Sequence, residues 1–402
     1  MAAQPSCSQA DNKERYMDMR IRNGRVLLPD GDVRQTDIIV AEGVIREVGD
    51  SLNGSTNGGK SIDARGKLVL PGIVDLHGDG FERHIMPRAG VSFSRALGLL
   101  DTDRTMTANG ITTAFHGLTC SWEPGLRSRE AAHAFLADFK TVRDRLGCDT
   151  RLHLRFETYN LQALDEIEAW ILDGTVDMLA FNDHIDAMFA NLDRYSKMSG
   201  YLDRTGLNRE AFIHLISEIR ERAAAVPEGI RKLARAAAER NIPMASHDDP
   251  DPATRSWYDG LGCAICEFPL DEPTARRARE LGGAVILGAP NALRGKSHIN
   301  RLMARDAIRM ALCDALTSDY FYPSLLQAAF SLARDKVCPF PDAWRLVSAG
   351  PARAAGLADR GAIEPGKRAD MIIVDDSDPS LPFAALTLRQ GTPVFSANGL
   401  GM

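Results

Sequence analysis

The sequence of 402 residues has no long apolar run, no excess of positive charge and few cysteines. No stretch approaches the ~18 consecutive apolar residues of a membrane-spanning helix. The N-terminal segment carries charges where a signal peptide has an apolar core, so we do not expect a signal peptide. A net charge of −6 disfavours a general nucleic-acid-binding surface, although it allows a local basic pocket for a small anion. We therefore expect neither a membrane nor a nucleic acid as a partner.

The cysteines are seven in number and scattered through the chain. An odd, scattered set disfavours a disulfide framework and is typical of a reducing cytoplasm, which is the compartment we expect. Cys263 and Cys266 form a C-x-x-C pair. Because they lie in the apolar run CAICEF, they predict a buried strand rather than a redox turn.

The length exceeds that of one ordinary hydrophobic core and predicts one large domain with a smaller one. Residues 1–18 have the composition of a disordered tail. Residues 19–70 alternate like short strands separated by turns, and a similar strand returns as ADMIIVDDS near the C-terminus. We predict that 19–70 and 360–402 form one small β-domain, with a larger domain at 71–359 inserted between them.

The larger domain alternates apolar strands with helical segments. Its strands are predicted at 73–77, 111–118, 152–157, 176–184, 242–249, 263–268, 284–288 and 314–320. Helices are predicted between most of them, for example at 129–146, 209–226, 228–241 and 272–282. Strands that alternate with helices imply a parallel sheet, and eight such units in about 280 residues favour a (β/α)8 TIM-like barrel. A doubly wound open sheet is the alternative.

Polar side chains follow these strands at their C-terminal ends, where the active site of a barrel lies. His77 and Asp79 are two residues apart and face the same side of the first strand. The other strand-end residues are Glu157, Asp183, His184, His247, Asp248, Asp249, Glu267 and Asp319. Imidazoles and carboxylates that converge on one mouth suit one or two divalent ions, and this mixture fits Zn, Mn or Fe. To structural roles we assign His116, His133, His153 and His214.

A basic loop follows the seventh predicted strand and contains Arg294, Lys296 and His298. Arginine offers a bidentate fork to phosphate oxygens, and lysine offers a point charge. After the first strand, His84 and Arg88 add positive charge. The pattern predicts an anion-binding site, with a solvated basic loop as the alternative.

Three motifs together resemble the amidohydrolase superfamily: LPGIVDLHGD before the barrel, Asp319 on the last strand, and GAIEPGKRADMIIVD near the C-terminus. The chain is more closely similar to the alpha-D-ribose 1-methylphosphonate 5-triphosphate diphosphatase family. The matching segments are LHLRFE, the pair Asp183-His184, ASHDD, CEFPL, GAPNALRGKSHIN and TSDYFYPSLL. This resemblance implies a metal-dependent hydrolase of phosphonate breakdown that converts a ribosyl 5-triphosphate to the 5-phosphate and diphosphate.

The resemblance also implies roles for individual residues. One ion would lie among His77, Asp79 and Asp319, and a second on His184 and His247, with Glu157 bridging the two. Asp319 would also accept the proton of the attacking water. The implied contacts to a small phosphorylated substrate are His84, Arg88, Glu267, Asn291, Arg294, Lys296 and His298. A homo-oligomer is left open.

One departure from the family pattern concerns the first strand. The family typically has His-Thr-Asp-Asn where this chain has His77-Gly78-Asp79-Gly80. The neighbours of the two ligand positions are therefore smaller, and a shifted substrate is an alternative. Two rival functions are an amidohydrolase that cleaves a C–N bond, such as a deaminase or deacetylase, and a non-catalytic barrel. The complete set of ligand residue types disfavours the second rival.

Overall fold

The structure is a computed structural model that describes residues 18–50, 52, 59–295 and 302–397. The β-strands are, in chain order, β1 (Met19–Leu27), β2 (Val33–Ala41), β3 (Val44–Gly49), β4 (Lys60–Asp63), β5 (Leu68–Pro71), β6 (Ile73–Gly78), β7 (Ile111–Cys120), β8 (Asp149–Glu157), β9 (Met178–Asn182), β10 (Met244–His247), β11 (Ile265–Glu267), β12 (Ala284–Gly288), β13 (Ala315–Thr317), β14 (Met371–Asp375), β15 (Phe383–Arg389) and β16 (Thr392–Ser396).

The α-helices lie mostly between the strands from β6 to β13. They are α1 (Phe81–Ile85), α2 (Arg95–Ala108), α3 (Arg129–Val142), α4 (Leu164–Leu172), α5 (Ile185–Ala190), α6 (Tyr195–Thr205), α7 (Arg209–Arg220), α8 (Val226–Glu239), α9 (Pro252–Asp259), α10 (Glu272–Glu280), α11 (Ala289–Arg294), α12 (Ala304–Arg309), α13 (Ser324–Arg334), α14 (Phe340–Arg345) and α15 (Ala349–Ala354). Among the described residues, no helix has both the length and the apolar composition to cross a bilayer.

Several helices differ in length from the sequence prediction. The segment predicted as one helix at 209–226 is α7, followed by a 3-10 turn at Glu221–Ala225. Pro227 lies in the first turn of α8, where its missing N–H costs no hydrogen bond, so α8 starts there rather than continuing α7. In α10, the Asp271 side chain accepts a hydrogen bond from the Thr274 N–H and thereby caps the helix start.

Strands β6 to β13 form one parallel sheet in chain order. The sheet closes where the Asp319 N–H donates to the His77 carbonyl and the Asp79 N–H donates to the Asp319 carbonyl, both at 2.9 Å. This closure confirms the predicted barrel and excludes the doubly wound sheet. Since helices cover the outside and side chains fill the inside, strands such as β6 and β7 are buried at every residue.

The remaining strands form a second, mostly antiparallel sheet in the order β16-β15-β14-β5-β1-β2-β3, with β4 beside β1. Both ends of the chain contribute, since β14 pairs with β5 across the sheet. Helix α14 is bonded to this second sheet, since Trp344 Nε1 donates to the Pro71 carbonyl of β5 at 3.1 Å. The tail predicted at 1–18 lies outside the described residues except for Asp18.

The cysteines of the described chain are all free. Cys263 and Cys266 are both buried, as the apolar surroundings of the C-x-x-C pair predict.

Candidate metal centre

A buried carboxylate fixes the first barrel strand against the last. Asp75, on β6, is fully buried. Its Oδ1 accepts hydrogen bonds from Thr317 Oγ1 at 2.6 Å and the Ser318 N–H at 3.0 Å, and its Oδ2 accepts one from Ser318 Oγ at 2.5 Å. These bonds hold the strand ends that carry His77 and Asp319 side by side at the mouth of the barrel.

Candidate metal ligands form three overlapping groups at this mouth. In each group, ligand atoms of three residues lie within 4.8 Å of one another. The groups are His77, Asp79 and Asp319; His77, His247 and Glu267; and His184, His247 and Asp248. The structure therefore brings together five of the six residues proposed as metal ligands, and it adds Asp248 and Glu267 to them.

Tight backbone turns aim some of these side chains into the mouth. Asp248 and Asp319 have φ angles of 57° and 54°, in the left-handed region that residues with a Cβ rarely adopt. The N–H of Asp248 donates to the Glu267 carbonyl on the neighbouring strand at 2.9 Å. A left-handed residue costs of order 1–3 kcal/mol and is concentrated at functional sites. Because of this turn, Asp248 joins the ligand group although it directly follows His247.

Glu157, the residue predicted to bridge two ions, is hydrogen-bonded to His184. Nδ1 of His184 donates to Glu157 Oε1 at 2.6 Å. Burial alone would raise the pKa of Glu157, but His184 and Arg155 hold it below the ordinary value. Burial likewise opposes protonation of His184, and the Glu157 charge outweighs it, so the pKa of His184 is raised. Glu157 therefore orients His184, and its bridging role stays a prediction.

Glu267 was predicted to contact the substrate, but the structure places it in a candidate ligand group with His77 and His247. It is fully buried and accepts a hydrogen bond from His77 Nδ1 at 3.1 Å. Its other oxygen has no hydrogen-bond partner among the described residues, and burial raises its pKa. His153, assigned to a structural role, lies beside it, with Nε2 3.8 Å from Glu267 Oε2. Complete burial removes Glu267 from the surface that a substrate reaches.

Arg155 is a residue of the centre that the sequence analysis missed. Its NH1 donates to Asp79 Oδ2 at 3.1 Å, and its NH2 lies 3.5 Å from His247 Nε2. A signal was present, since Arg155 precedes Glu157 by two residues on one strand and so shares its face. Burial followed by the Arg155 charge lowers the pKa of His77 to about 3.

The two aspartates beside Arg155 differ in acidity. Burial would raise the pKa of Asp79, but Arg155 and Arg127 hold it below the ordinary value. In contrast, burial and the neighbouring Asp79 charge raise the pKa of Asp319 to about 7, against the opposing effect of Arg155. Of this pair, Asp319 is therefore the carboxyl group whose pKa lies nearer to neutral pH.

A pocket of about 290 Å³ opens onto the centre, and its lining includes His77, His247, Asp319, Asn291 and Arg294. The last two were predicted substrate contacts. Asn291 also accepts a hydrogen bond from the Ala304 N–H through Oδ1 at 3.1 Å, which ties α11 to α12.

The other predicted substrate contacts have different surroundings. His84 is paired with Asp101 at 2.7 Å, and Arg88 is exposed; neither lines the pocket. His84 lies on α1 and its ring is held by Asp101 of α2, and Arg88 lies between these two helices, so neither residue contacts the space in this pocket. Lys296 and His298 lie outside the described residues.

The residues present fit a divalent metal ion. The buried Nδ1 of His247 has no hydrogen-bond partner within the described chain, which is unusual for a polar atom away from water. It lies 3.8 Å from Asp248 Oδ1, and His184 Nε2 lies 3.9 Å from Asp248 Oδ2. Imidazole nitrogens and a carboxylate are the ligands that Zn, Mn and Fe accept.

Comparison with known proteins gives matches along most of the chain. The Amidohydrolase family profile matches residues 104–395. The chain is 31% identical over 386 residues to the alpha-D-ribose 1-methylphosphonate 5-triphosphate diphosphatase of Escherichia coli (strain K12), covering 94% of this chain and 100% of that protein. It is 24% identical over 390 residues to an adenine deaminase of Cereibacter sphaeroides, covering 89% of this chain and 55% of that protein.

Solved structures share the fold at low identity. The crystal structure of an amidohydrolase superposes with a TM-score of 0.64 and 18% identity, over 94% of this chain and 99% of that chain. The dihydropyrimidinase from Brevibacillus agri NCHU1002 superposes with a TM-score of 0.62 and 15% identity, over 94% and 95% of the two chains. At these identities the likeness concerns the fold alone.

Proposed function

Since this chain is a hydrolase that belongs to the amidohydrolase family, we propose that it cleaves a ribosyl 5-triphosphate. The proposed substrate is alpha-D-ribose 1-methylphosphonate 5-triphosphate or a close relative. The P–O bond between the α and β phosphates breaks with addition of water, and the products are the 5-phosphate and diphosphate. The observation that carries this proposal is the alignment with the Escherichia coli diphosphatase, which runs over 100% of that protein at 31% identity.

The pocket supports an anionic substrate. Arg294 lines it at the C-terminal end of α11, and Arg155, His77 and His247 line it as well. A guanidinium can bind two phosphate oxygens at once and can stabilise the charge that develops on the leaving diphosphate. We propose that Lys296 and His298 in the following segment assist Arg294.

Asp319 has the properties of the proton acceptor. Its carboxyl group lies at the pocket, and its raised pKa, about 7, matches the pH at which a cytoplasmic enzyme works. In its ionised form it takes a proton from the attacking water, and in its protonated form it can return the proton to the leaving group.

We propose that the centre holds Zn, Mn or Fe on the histidine and carboxylate groups described above. When bound, such an ion supplies Lewis-acid activation of the water and of the phosphoryl group. Meanwhile Glu157 holds the imidazole of His184 in one orientation.

The setting we propose is phosphonate breakdown in the cytoplasm. The odd number of cysteines, scattered through the chain, supports a reducing compartment.

The experiment that tests the proposed reaction is product analysis with the full chain. Metal-loaded protein is incubated with alpha-D-ribose 1-methylphosphonate 5-triphosphate, with a nucleoside triphosphate and with a panel of amides. Phosphorus NMR then distinguishes released diphosphate from orthophosphate. We expect diphosphate and the 5-phosphate from the ribosyl triphosphate. Hydrolysis of amides without turnover of any triphosphate would contradict the proposal.

A second candidate function is hydrolysis of a C–N bond. It is favoured by the alignment with an adenine deaminase over 89% of this chain, at 24% identity. The amide panel, extended with adenine and monitored for ammonia release, tests this candidate in the same experiment.

A further inference from the structure

Arg83 lies on α1, the short helix that follows β6 at the mouth of the barrel. Its guanidinium carbon is 5.1 Å from the centroid of the Tyr320 ring. Tyr320 directly follows Asp319 and lines the pocket, and it is also 37% exposed, so it forms part of the pocket rim. The charge of Arg83 reaches the centre as well: burial raises the pKa of Asp79, and Arg83 is one of the arginines that oppose this rise. Arg83 therefore adds a positive charge at the rim.

The side chain of Arg83 is available to a ligand. It is exposed, and within the described part of the chain it makes no hydrogen bond and no ion pair. Arg127, in contrast, donates twice to Glu82. A guanidinium that lies over a ring is attracted by the face of the ring and keeps its N–H groups for other partners. The partners that satisfy such a group best are carboxylates and phosphates, because they accept two parallel hydrogen bonds from it.

The strand order places Asp319 between the elements that carry Arg83 and Arg294. β13 ends two residues before Asp319 and pairs with β12 on one side. On the other side, Asp319 forms the bridge to Gly78 at the end of β6 that closes the barrel. Arg294 belongs to α11, which follows β12, and Arg83 belongs to α1, which follows β6. A ligand that extends along the mouth from one arginine to the other therefore passes the end of β13 and Asp319.

The proposed substrate carries negative charge at both ends, with the triphosphate on C5 of the ribose and the methylphosphonate on C1. The bond that breaks lies within the triphosphate, and Asp319 is the proposed proton acceptor there. Arg294 is the proposed contact of the leaving diphosphate, on one side of this bond. The ribosyl part with its phosphonate lies on the other side, where a second cation would neutralise it. The pocket of about 290 Å³ is at the lower end of the range for ligand sites, so a molecule of this size extends to the rim.

We propose, on the basis of the proposed function, that Arg83 determines specificity by binding the anionic group on C1 of the ribose. Tyr320 acts as a positioning residue, because its ring holds the guanidinium at the rim. The site then prefers ribosyl compounds with a phosphonate or phosphate on C1 to those with an uncharged hydroxyl group there.

Binding of reaction products tests this inference without turnover. Isothermal titration calorimetry on the full, metal-loaded chain measures Kd for ribose 1-methylphosphonate 5-phosphate, ribose 5-phosphate and inorganic diphosphate. We expect Arg83→Gln to weaken binding of the first by about 10–100-fold and to change the other two by less than about twofold, since only the first has an anion on C1. The matched control is Arg143→Gln. Arg143 also lies over an aromatic ring, that of Phe139, but it precedes β8 at the other end of the barrel, and its loss should change none of the three.

Variants of Tyr320 separate its positioning role from a structural one. Tyr320→Phe keeps the ring and should bind the phosphonate product like the wild type. Tyr320→Leu should weaken that binding by about 2–5-fold, the contribution of an exposed contact between a cation and a ring, because it releases Arg83. In the Arg83→Gln background, Tyr320→Leu should have no further effect.

An Arg83→Gln variant that binds the phosphonate product as tightly as the wild type would overturn the inference. So would a loss that falls on diphosphate, or equally on all three ligands, because Arg83 would then serve the other end of the substrate or act only as a general charge. These outcomes are independent of the reaction: phosphorus NMR can show release of diphosphate while product binding does not depend on Arg83. Conversely, a wild type that hydrolyses amides and no triphosphate overturns the reaction, even where Arg83 still selects ligands with an anion on C1.

Discussion

Asp79 and Asp319 are joined by a backbone hydrogen bond of 2.9 Å, and their side chains share one ligand group at the barrel mouth. Two guanidinium groups keep Asp79 ionised, and that ionised neighbour, added to burial, raises the pKa of Asp319. The closing contact of the barrel therefore creates a pair of carboxyl groups with separated acidities, and this separation supports the proton-transfer role that we propose for Asp319.

The first prediction concerns this role. Asp319→Asn keeps the side-chain shape but removes the basic carboxylate. We expect kcat for the ribosyl triphosphate to fall by ~10²–10⁴, the usual contribution of a general base, with little change in KM. Steady-state kinetics measure both constants. The control is Asp193→Asn, whose carboxylate is fully exposed. Unchanged kcat in Asp319→Asn would contradict the assignment.

The second prediction concerns pH and the stability of the metal-free chain. The pKa of Asp319 rises from 3.8 to about 7 on folding. Between these values the folded state binds more protons than the unfolded state, so this group lowers the free energy of unfolding as pH rises from about 4 to about 7. Asp319→Asn removes the effect. The free energy of unfolding of the variant should equal that of the wild type near pH 4. At pH 8 it should exceed the wild-type value by up to about 4 kcal/mol, since one pKa unit corresponds to about 1.4 kcal/mol.

Urea titrations of chelator-treated protein at both pH values measure this difference. Comparing the variant with the wild type cancels the pH dependence of the other carboxylates. Equal stability of the two proteins at both pH values would show that the pKa of Asp319 is not raised.

The third prediction concerns the phosphate contact. Arg294→Ala should raise KM for a triphosphate by about 10–100-fold, because a charge-assisted hydrogen bond contributes about 1.5–3 kcal/mol. An uncharged amide, if it is a substrate, should be affected much less. Arg309→Ala is the control, since Arg309 is paired with Asp306 on the surface of α12. Unaltered triphosphate kinetics in Arg294→Ala would remove the basis of the phosphate site.

The fourth prediction concerns the orientation of His184 by Glu157. Glu157→Gln keeps the size of the side chain and loses the charge that holds Nδ1. We expect metal affinity to fall by about 10–100-fold, the typical loss for a residue that supports a ligand. Competition with a chelating dye measures it. Glu218→Gln removes the carboxylate of an exposed His214–Glu218 pair and should leave affinity unchanged. If Glu157 were instead a direct ligand bridging two ions, its loss would reduce the ion count itself.

The barrel and much of its mouth follow from the sequence because apolar runs and strand-end polar residues obey simple periodicities. Side chains alternate between the two faces of a strand, which predicts that His77 and Asp79 share one face. The structure puts both residues in one ligand group. The same two-residue period does not predict the direction of the Asp248 side chain, because a φ of 57° turns the chain there at the strand end. It also cannot show that Arg155 crosses the barrel to Asp79, since that contact joins residues 76 positions apart.

The fifth prediction concerns the glycines that depart from the family pattern. A Cβ at Gly78 would lie 2.7 Å from Tyr322 Cε1 and 2.9 Å from Asp75 Oδ2. A Cβ at Gly80 would lie 2.8 Å from Cε2 of the same ring. The buried Tyr322 ring therefore occupies the space that the Thr and Asn side chains of the family pattern would need. We expect Gly78→Thr to lower the free energy of unfolding by about 1–3 kcal/mol through overpacking.

A double-mutant cycle tests this steric explanation. Tyr322→Ala alone should lower the free energy of unfolding by about 3–5 kcal/mol, because it removes a large side chain from the core. In the Tyr322→Ala background, Gly78→Thr should cost at least about 1 kcal/mol less than in the wild type, because the ring that it meets is gone. Gly200→Ala is the control: a Cβ there meets no heavy atom within 4 Å, and alanine in a helix should be neutral or stabilising. Strict additivity of the two substitutions would show that Tyr322 does not exclude a side chain at position 78.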